Sequence, residues 1–187
     1  MSRVLVFAAH PDDEILGVGG TILRHKAQGD TVDVHVLYRC RTVPAPGVSF
    51  HAYDHGEDVG RMVEAMTLSR PDIVYTHHGG DINADHRALH EAVMVACRPY
   101  AAPTVRSIRT FHTPSSTEWG HGFVPTLFVD ISEHIDAKLA AMAFYADELR
   151  PEPHPRSLEY LRAQAMTWGA ASGFRFAEAF MVIRERW

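Results

Sequence analysis

An imidazole and three carboxylates stand within five residues near the start of the chain, in the run His10-Pro11-Asp12-Asp13-Glu14. They follow directly on the apolar stretch Val4-Leu5-Val6-Phe7-Ala8, where a buried strand must give way to a helix. Carboxylates gathered at such a place cost free energy unless a positive charge sits among them, and a divalent metal ion is the simplest such charge. A second run, His77-His78-Gly79-Gly80-Asp81-Ile82-Asn83-Ala84-Asp85-His86, offers three more imidazoles and two more carboxylates. A catalytic zinc site takes three protein ligands and keeps one position open, and two histidines with one carboxylate make an adequate set. Pro11 restricts His10 to extended backbone. Of Asp12 and Asp13, one can reach the same ion as His10, which leaves the other to take a proton from water. That is the minimum apparatus for hydrolysing an amide.

Each run also has a plainer reading. An Asp-Asp-Glu at a helix start commonly caps the helix and complements its dipole. His86, in the first turn of an apolar helix, is by itself an ordinary structural histidine. His86 and His90 are spaced like a helical metal pair, but the glutamate that would mark a metalloprotease is missing after the first of them. The coincidence of the two runs favours the metal reading. Gly17-x-Gly19-Gly20 lies within the helix after the first run, not in the turn before it. It therefore reads as close helix-on-sheet packing and not as a dinucleotide fingerprint.

The elements that must position these residues alternate. Strands are expected over residues 4–8, 31–38, 73–76, 106–111, 126–130 and 179–184, and helices over 14–27, 54–69, 85–97, 133–149 and 157–167. This is the pattern of an α/β fold, a Rossmann-like three-layer sandwich with a mostly parallel central sheet. Both acidic-histidine runs fall at the carboxyl ends of strands, where such sheets bind ligands. A chain of 187 residues without repeat or linker reads as a single domain, 1–187. A net charge of -5 with no Lys/Arg block excludes a nucleic-acid binder held by phosphate contacts. No apolar run has the length of a membrane span, the start carries no signal peptide, and Cys40 and Cys97 share no close spacing. A cytoplasmic protein is the expectation.

His10-Pro11-Asp12-Asp13-Glu14 together with Asp81-Ile82-Asn83-Ala84-Asp85-His86 resembles the LmbE-like/PIG-L superfamily of zinc-dependent N-deacetylases. Pro153-His154-Pro155-Arg156-Ser157 and Ala177-Glu178-Ala179-Phe180 look like segments of its bacterial members linked to sugar metabolism. The resemblance implies the LmbE-like deacetylase fold, with zinc as cofactor (iron or cobalt being alternatives) held by His10, Asp13 and His86. It implies Asp12 as the general base, Glu14 as a supporting residue, and Asp85 as a carboxylate tuning the site from behind a ligand. The implied reaction removes an acetyl group from an N-acetylated amino sugar; the alternatives are a non-sugar amide, or metal or sugar binding without catalysis.

The chain departs from several members where they carry a histidine three positions before the third ligand. Asn83 stands there, able to donate a hydrogen bond to an oxyanion but not to deliver a proton. Protonation of the leaving amine then falls to Asp12, His78, His112 or His154. Arg156 reads either as a clamp for substrate hydroxyls or a phosphate, or as a loop brace. Trp119 beside His121 reads as a sugar-stacking surface or as packing, and Arg39 and Arg41 as cleft or solvated residues. The expected partner is a small N-acetylated molecule, with a homo-oligomer as one way to complete the cleft.

Overall fold

The computed structural model describes residues 1–37 and 58–187. Arg39, Cys40, Arg41 and the rest of the loop to residue 53 lie outside the described residues, as do the first four positions of the helix expected from residue 54. The chain begins with β1 (Arg3–Ala8), α1 (Asp13–Ala27), β2 (Thr31–Val36), α2 (Asp58–Ser69) and β3 (Ile73–His77). It continues through α3 (Ala84–Ala96), β4 (Ser107–Phe111), β5 (Leu127–Asp130), α4 (Ile135–Met142), α5 (Leu158–Ser172) and β6 (Ala177–Glu185).

Among the described residues, six strands form one sheet in the order β2-β1-β3-β4-β6-β5. β2, β1, β3 and β4 pair in parallel, and only β6 runs against its neighbours. β1 is buried on both faces, so its sequence is continuously apolar. Leu5 and Phe7 face one way, onto Met62 and Met66 of α2 and Leu89 and Val93 of α3. Val4, Val6 and Ala8 face the other way, with Val18 of α1, Tyr75, Phe111 and Phe180. On that second side a further apolar cluster joins Ile15 and Leu16 of α1 to Ile135, Leu139 and Met142 of α4 and Leu161 and Ala165 of α5. The sandwich thus has three layers, as the alternation of elements requires.

The chain leaves β1 to build β2 on one side of it, then crosses to build β3 on the other. The sheet therefore changes winding direction between β1 and β3. The loops leaving the two strands run to opposite faces of the sheet there, and the carboxyl ends of strands at such a reversal are where open α/β sheets bind ligands. His10–Asp13 and residues 78–86 follow those two strand ends.

Two element expectations need correction. The helix expected over 133–149 ends at Met142 and tightens into a 3-10 turn, Ala143–Tyr145. The side chain of Tyr145, fully buried, is turned inward by that tightening, and its burial and hydrogen bond outweigh continued helix propensity. The last helix extends to Ser172, five residues past its expected end, and stops where Gly173 takes φ 80°.

Candidate metal centre

Asp13 lies at the middle of the site, in the first turn of α1 and without solvent exposure. Its Oδ2 accepts from the His10 backbone N–H at 2.8 Å, which closes the loop after β1 into a tight turn. Three imidazole nitrogens surround the same oxygen: His10 Nδ1 at 3.3 Å, His86 Nε2 at 3.3 Å and His77 Nε2 at 3.4 Å. One ligand atom from each of His10, Asp13 and His86 lies within 4.8 Å of the other two. Asp13 Oδ1 and His86 Nε2 are both buried and have no hydrogen-bond partner among the described residues. Buried polar atoms are seldom left so, and two in one cluster of metal-ligand types fit the binding of a cation. The donor set, two imidazoles and one carboxylate, suits zinc.

The electrostatics fit as well. Burial alone would raise the Asp13 carboxyl, but His86 and His77 hold it well below the usual carboxylate range. Burial would lower His86, yet Asp13 and Asp81 outweigh it and push the imidazole up to about 9. In the absence of a cation, His86 therefore carries a proton where a metal would otherwise sit.

His77, which the sequence offers as another imidazole donor, serves differently. Its Nε2 accepts from the Ala9 backbone N–H at 2.9 Å, so its proton is on Nδ1 and donated to Thr113 Oγ1 at 3.0 Å. Burial and the neighbouring His86 push it down to about 4 and keep it neutral. Its ring stacks on that of His86 with centroids 3.8 Å apart and fixes the plane of His86.

Behind each histidine of the cluster stands a carboxylate. Asp85 Oδ2 is 2.9 Å from His10 Nε2. Asp81 Oδ2 is 3.3 Å from His86 Nδ1 and is itself held by the hydroxyls of Thr117 at 2.6 Å and Ser116 at 2.9 Å. Burial would raise Asp81, but His86, the Thr117 hydroxyl and the Asn83 N–H lower it to about 2. Sequence reasoning singled out Asp85 and passed over Asp81, because the supporting hydroxyls come from the loop after β4, a remote part of the chain.

Asp12 is fully buried beside the cluster. Its Oδ2 faces Arg156 Nη1 at 3.1 Å, an ion-pair contact without hydrogen-bond alignment. Burial and the charge of Asp13 push its carboxyl up to about 9 despite the guanidinium. Arg156 is committed to the protein: Nη1 also donates to Glu148 Oε2 at 2.9 Å, and Nε to Ser115 Oγ at 2.8 Å. His154 Nδ1 accepts the Arg156 backbone N–H at 3.0 Å and braces this loop. Glu14 is also fully buried; burial raises it to about 7, although Tyr145 OH donates to its Oε1 at 2.6 Å.

The remaining expected residues are placed as follows. Asn83 is the N-cap of α3, its Oδ1 accepting from Asp85 N at 2.9 Å. His78 Nε2 contacts the His121 carbonyl at 2.8 Å. His112 lies 3.2 Å from Gln164 Nε2 through Nδ1 and 3.9 Å from Glu118 through Nε2. Trp119 is exposed. Cys97 is buried, and that burial pushes its thiol up to about 12.

The chain is similar to known proteins over much of its length. Residues 5–46, which include the end of β1 and the first acidic run, match the family model described as PIG-L, GlcNAc-PI de-N-acetylase. A relative in Escherichia coli K12, the uncharacterized deacetylase YaiS, is 28% identical over 170 residues, covering 74% of this chain and 88% of its own. The crystal structure of the conserved protein TT1542 from Thermus thermophilus superposes with a TM-score of 0.76 at 27% identity, covering 97% of this chain and 94% of that one. In its first acidic run the chain is similar to the PIG-L family.

Two more distant structures share the LmbE-like fold. N,N'-diacetylchitobiose deacetylase from Pyrococcus horikoshii has a TM-score of 0.73 at 20% identity, covering 98% of this chain and 84% of that one. GalB, the 4-carboxy-2-hydroxymuconate hydratase of Pseudomonas putida, has a TM-score of 0.72 at 21% identity, covering 100% and 98%. A scaffold shared by a deacetylase and a hydratase does not name a reaction, so the chemistry has to be argued from the site. No helix among the described residues is long and apolar enough to cross a membrane.

Proposed function

We propose that this protein is a metal-dependent N-deacetylase that hydrolyses the acetamide of an N-acetylated amino sugar to acetate and the free amine. The observation that carries the reading is the buried cluster of His10, Asp13 and His86, with two of its ligand atoms unpartnered and the Asp12 carboxylate beside it. The family description, GlcNAc-PI de-N-acetylase, and the deacetylase named among the relatives support the reading of an acetyl group on an amino sugar.

His10, Asp13 and His86 would hold a divalent ion, with zinc the resident metal and iron or cobalt fitting the same donors. Such an ion supplies polarisation of the acyl carbonyl and a lower pKa for water. Asp12 takes a proton from the attacking water, and the cation's charge favours its carboxylate form against the raised value it has alone. As the carbon–nitrogen bond breaks, the amine nitrogen must gain a proton, because an amide anion is a very poor leaving group. Asp12, whose burial keeps the acid form accessible, returns that proton. Arg156 holds the Asp12 carboxylate in place through the exchange.

The test is metal content of the purified protein, together with acetate release from N-acetylglucosamine and N,N'-diacetylchitobiose. One equivalent of metal is expected, with acetate release lowered by about 10³-fold or more in Asp12→Ala while the metal stays bound. Bound metal without acetate from either sugar overturns the amino-sugar substrate. A protein that binds no divalent metal overturns the mechanism.

A further inference from the structure

Among the described residues, three α-helices begin at an Asp, Asn or Ser able to cap them with its side chain, and one of those residues does not. Asn83 (φ -70°, ψ 126°) and Ser157 (φ -81°, ψ 150°) take extended backbone, and their side chains accept N–H groups of α3 and α5. Asp12 stands at the same position of α1 with φ 112° and ψ -31°, and its side chain makes no capping bond. Positive φ is a region that residues other than glycine rarely adopt, so something must hold it there.

The Asp12 peptide is gripped at both ends. Its carbonyl accepts from Ile15 N at 2.9 Å and Leu16 N at 2.8 Å, the ordinary bonds of a helix start. Its N–H donates to Glu14 Oε2 at 3.1 Å, while the other Glu14 oxygen accepts from Tyr145 OH at 2.6 Å. Glu14 and Tyr145 have no exposure, so neither oxygen exchanges these partners for water. Tyr145 reaches Glu14 from the turn after α4, 131 residues along the chain. The rotated backbone takes the Asp12 carboxylate away from the α1 amides and sets it against Arg156.

We propose that Glu14, aimed by the Tyr145 hydroxyl, is a positioning residue that holds Asp12 in its left-handed conformation and so withholds the Asp12 carboxylate from helix capping. The inference rests on the reading of Asp12 as the proton-transferring group. A Glu14 that merely satisfied the start of α1 would affect stability and leave catalysis by the folded protein unchanged.

The experiment compares the full-length wild type with Glu14→Ala, Glu14→Gln and Tyr145→Phe, each checked for folding by its melting transition. Hydrogen exchange at the Asp12 backbone amide is read by NMR, metal affinity by chelator competition, and kcat and KM from acetate release. Glu14→Ala is expected to speed Asp12 amide exchange by about tenfold or more. It is expected to lower kcat by about 10²-fold, with KM and metal affinity changed by no more than about threefold. Tyr145→Phe moves both readouts in the same direction by less. Glu14→Gln, which keeps a carbonyl oxygen for the Asp12 N–H, recovers most of the loss.

A folded Glu14→Ala with unchanged exchange or unchanged kcat overturns the proposal, as does a loss of kcat that follows loss of metal. If Glu14→Ala does not fold, Tyr145→Phe decides by the same readouts. If the wild type releases no acetate from N-acetylglucosamine or N,N'-diacetylchitobiose, the deacetylase reading fails, while Asp12 amide exchange still decides whether Glu14 holds Asp12.

Discussion

Asp13 and His86 show how two side chains can be matched to a cation through the groups around them. In the metal-free protein His86 holds its proton up to about pH 9, because Asp13 and Asp81 flank its two nitrogens. A metal ion must displace the Nε2 proton, so binding releases a proton and is opposed by acid. The sign follows. Below about pH 9 apparent metal affinity rises with pH by roughly tenfold per unit, and it levels off above that value. Isothermal titration in buffers of different ionisation enthalpy, between pH 7 and 9.5, checks both the slope and the proton released. Asp81 should matter to the same ion without touching it. Asp81→Asn removes the negative charge beside His86 Nδ1 and replaces one of the two acceptor oxygens by an NH2 donor, and it is expected to weaken metal binding by about 10- to 100-fold. The measurement belongs at pH 9.5, where competition by the His86 proton no longer masks the loss.

At the level of elements, the seat of α1 on the sheet decides where the first acidic run sits. Gly17 makes that seat possible: a Cβ there would lie 2.2 Å from Phe111 Cδ2 and 2.8 Å from its Cγ, and Phe111 is fully buried. Gly17→Ala gains helix propensity of about 1 kcal/mol but forces the ring or the helix to shift, a larger effect of about 1–3 kcal/mol. A fall in Tm of about 2–8 °C by calorimetry is the expected outcome. Gly19→Ala, whose Cβ would meet Ile15 Cγ2 at 3.3 Å and Lys138 Cγ at 3.4 Å, should change Tm much less. The glycine pattern was readable as close packing from the sequence, because glycine inside a helix needs a reason. The break of α4 before Tyr145 was not readable, because the amphipathic spacing continues through it and the partner, Glu14, lies far back in the chain.

At the scale of the whole molecule, the site lies where the sheet reverses its winding, between β1 and β3, and every proposed ligand comes from a loop or first helical turn there. A buried cluster of this kind binds metal in the folded chain and not in the unfolded one, so metal stabilises by mass action. Free metal at about 100 times its dissociation constant should add about 2.7 kcal/mol and raise Tm by about 5–10 °C. Dialysis against a chelator should reverse the rise, and a Tm indifferent to metal would count against the cluster. The sequence by itself determined the order of the elements, the buried β1 and the two acidic-histidine runs, because periodicity and local clusters of ligand types are written in consecutive residues, whereas the proposed choice of His10, Asp13 and His86 came from the family resemblance. Tertiary structure alone decided that His77 packs instead of ligating, that Asp81 stands behind His86, and that Tyr145 reaches Glu14. His77–Ala9 and Tyr145–Glu14 join segments far apart in the chain, and Asp81 is held toward His86 by the distant hydroxyls of Ser116 and Thr117, so a side chain's role there depends on which neighbour takes its hydrogen bond first.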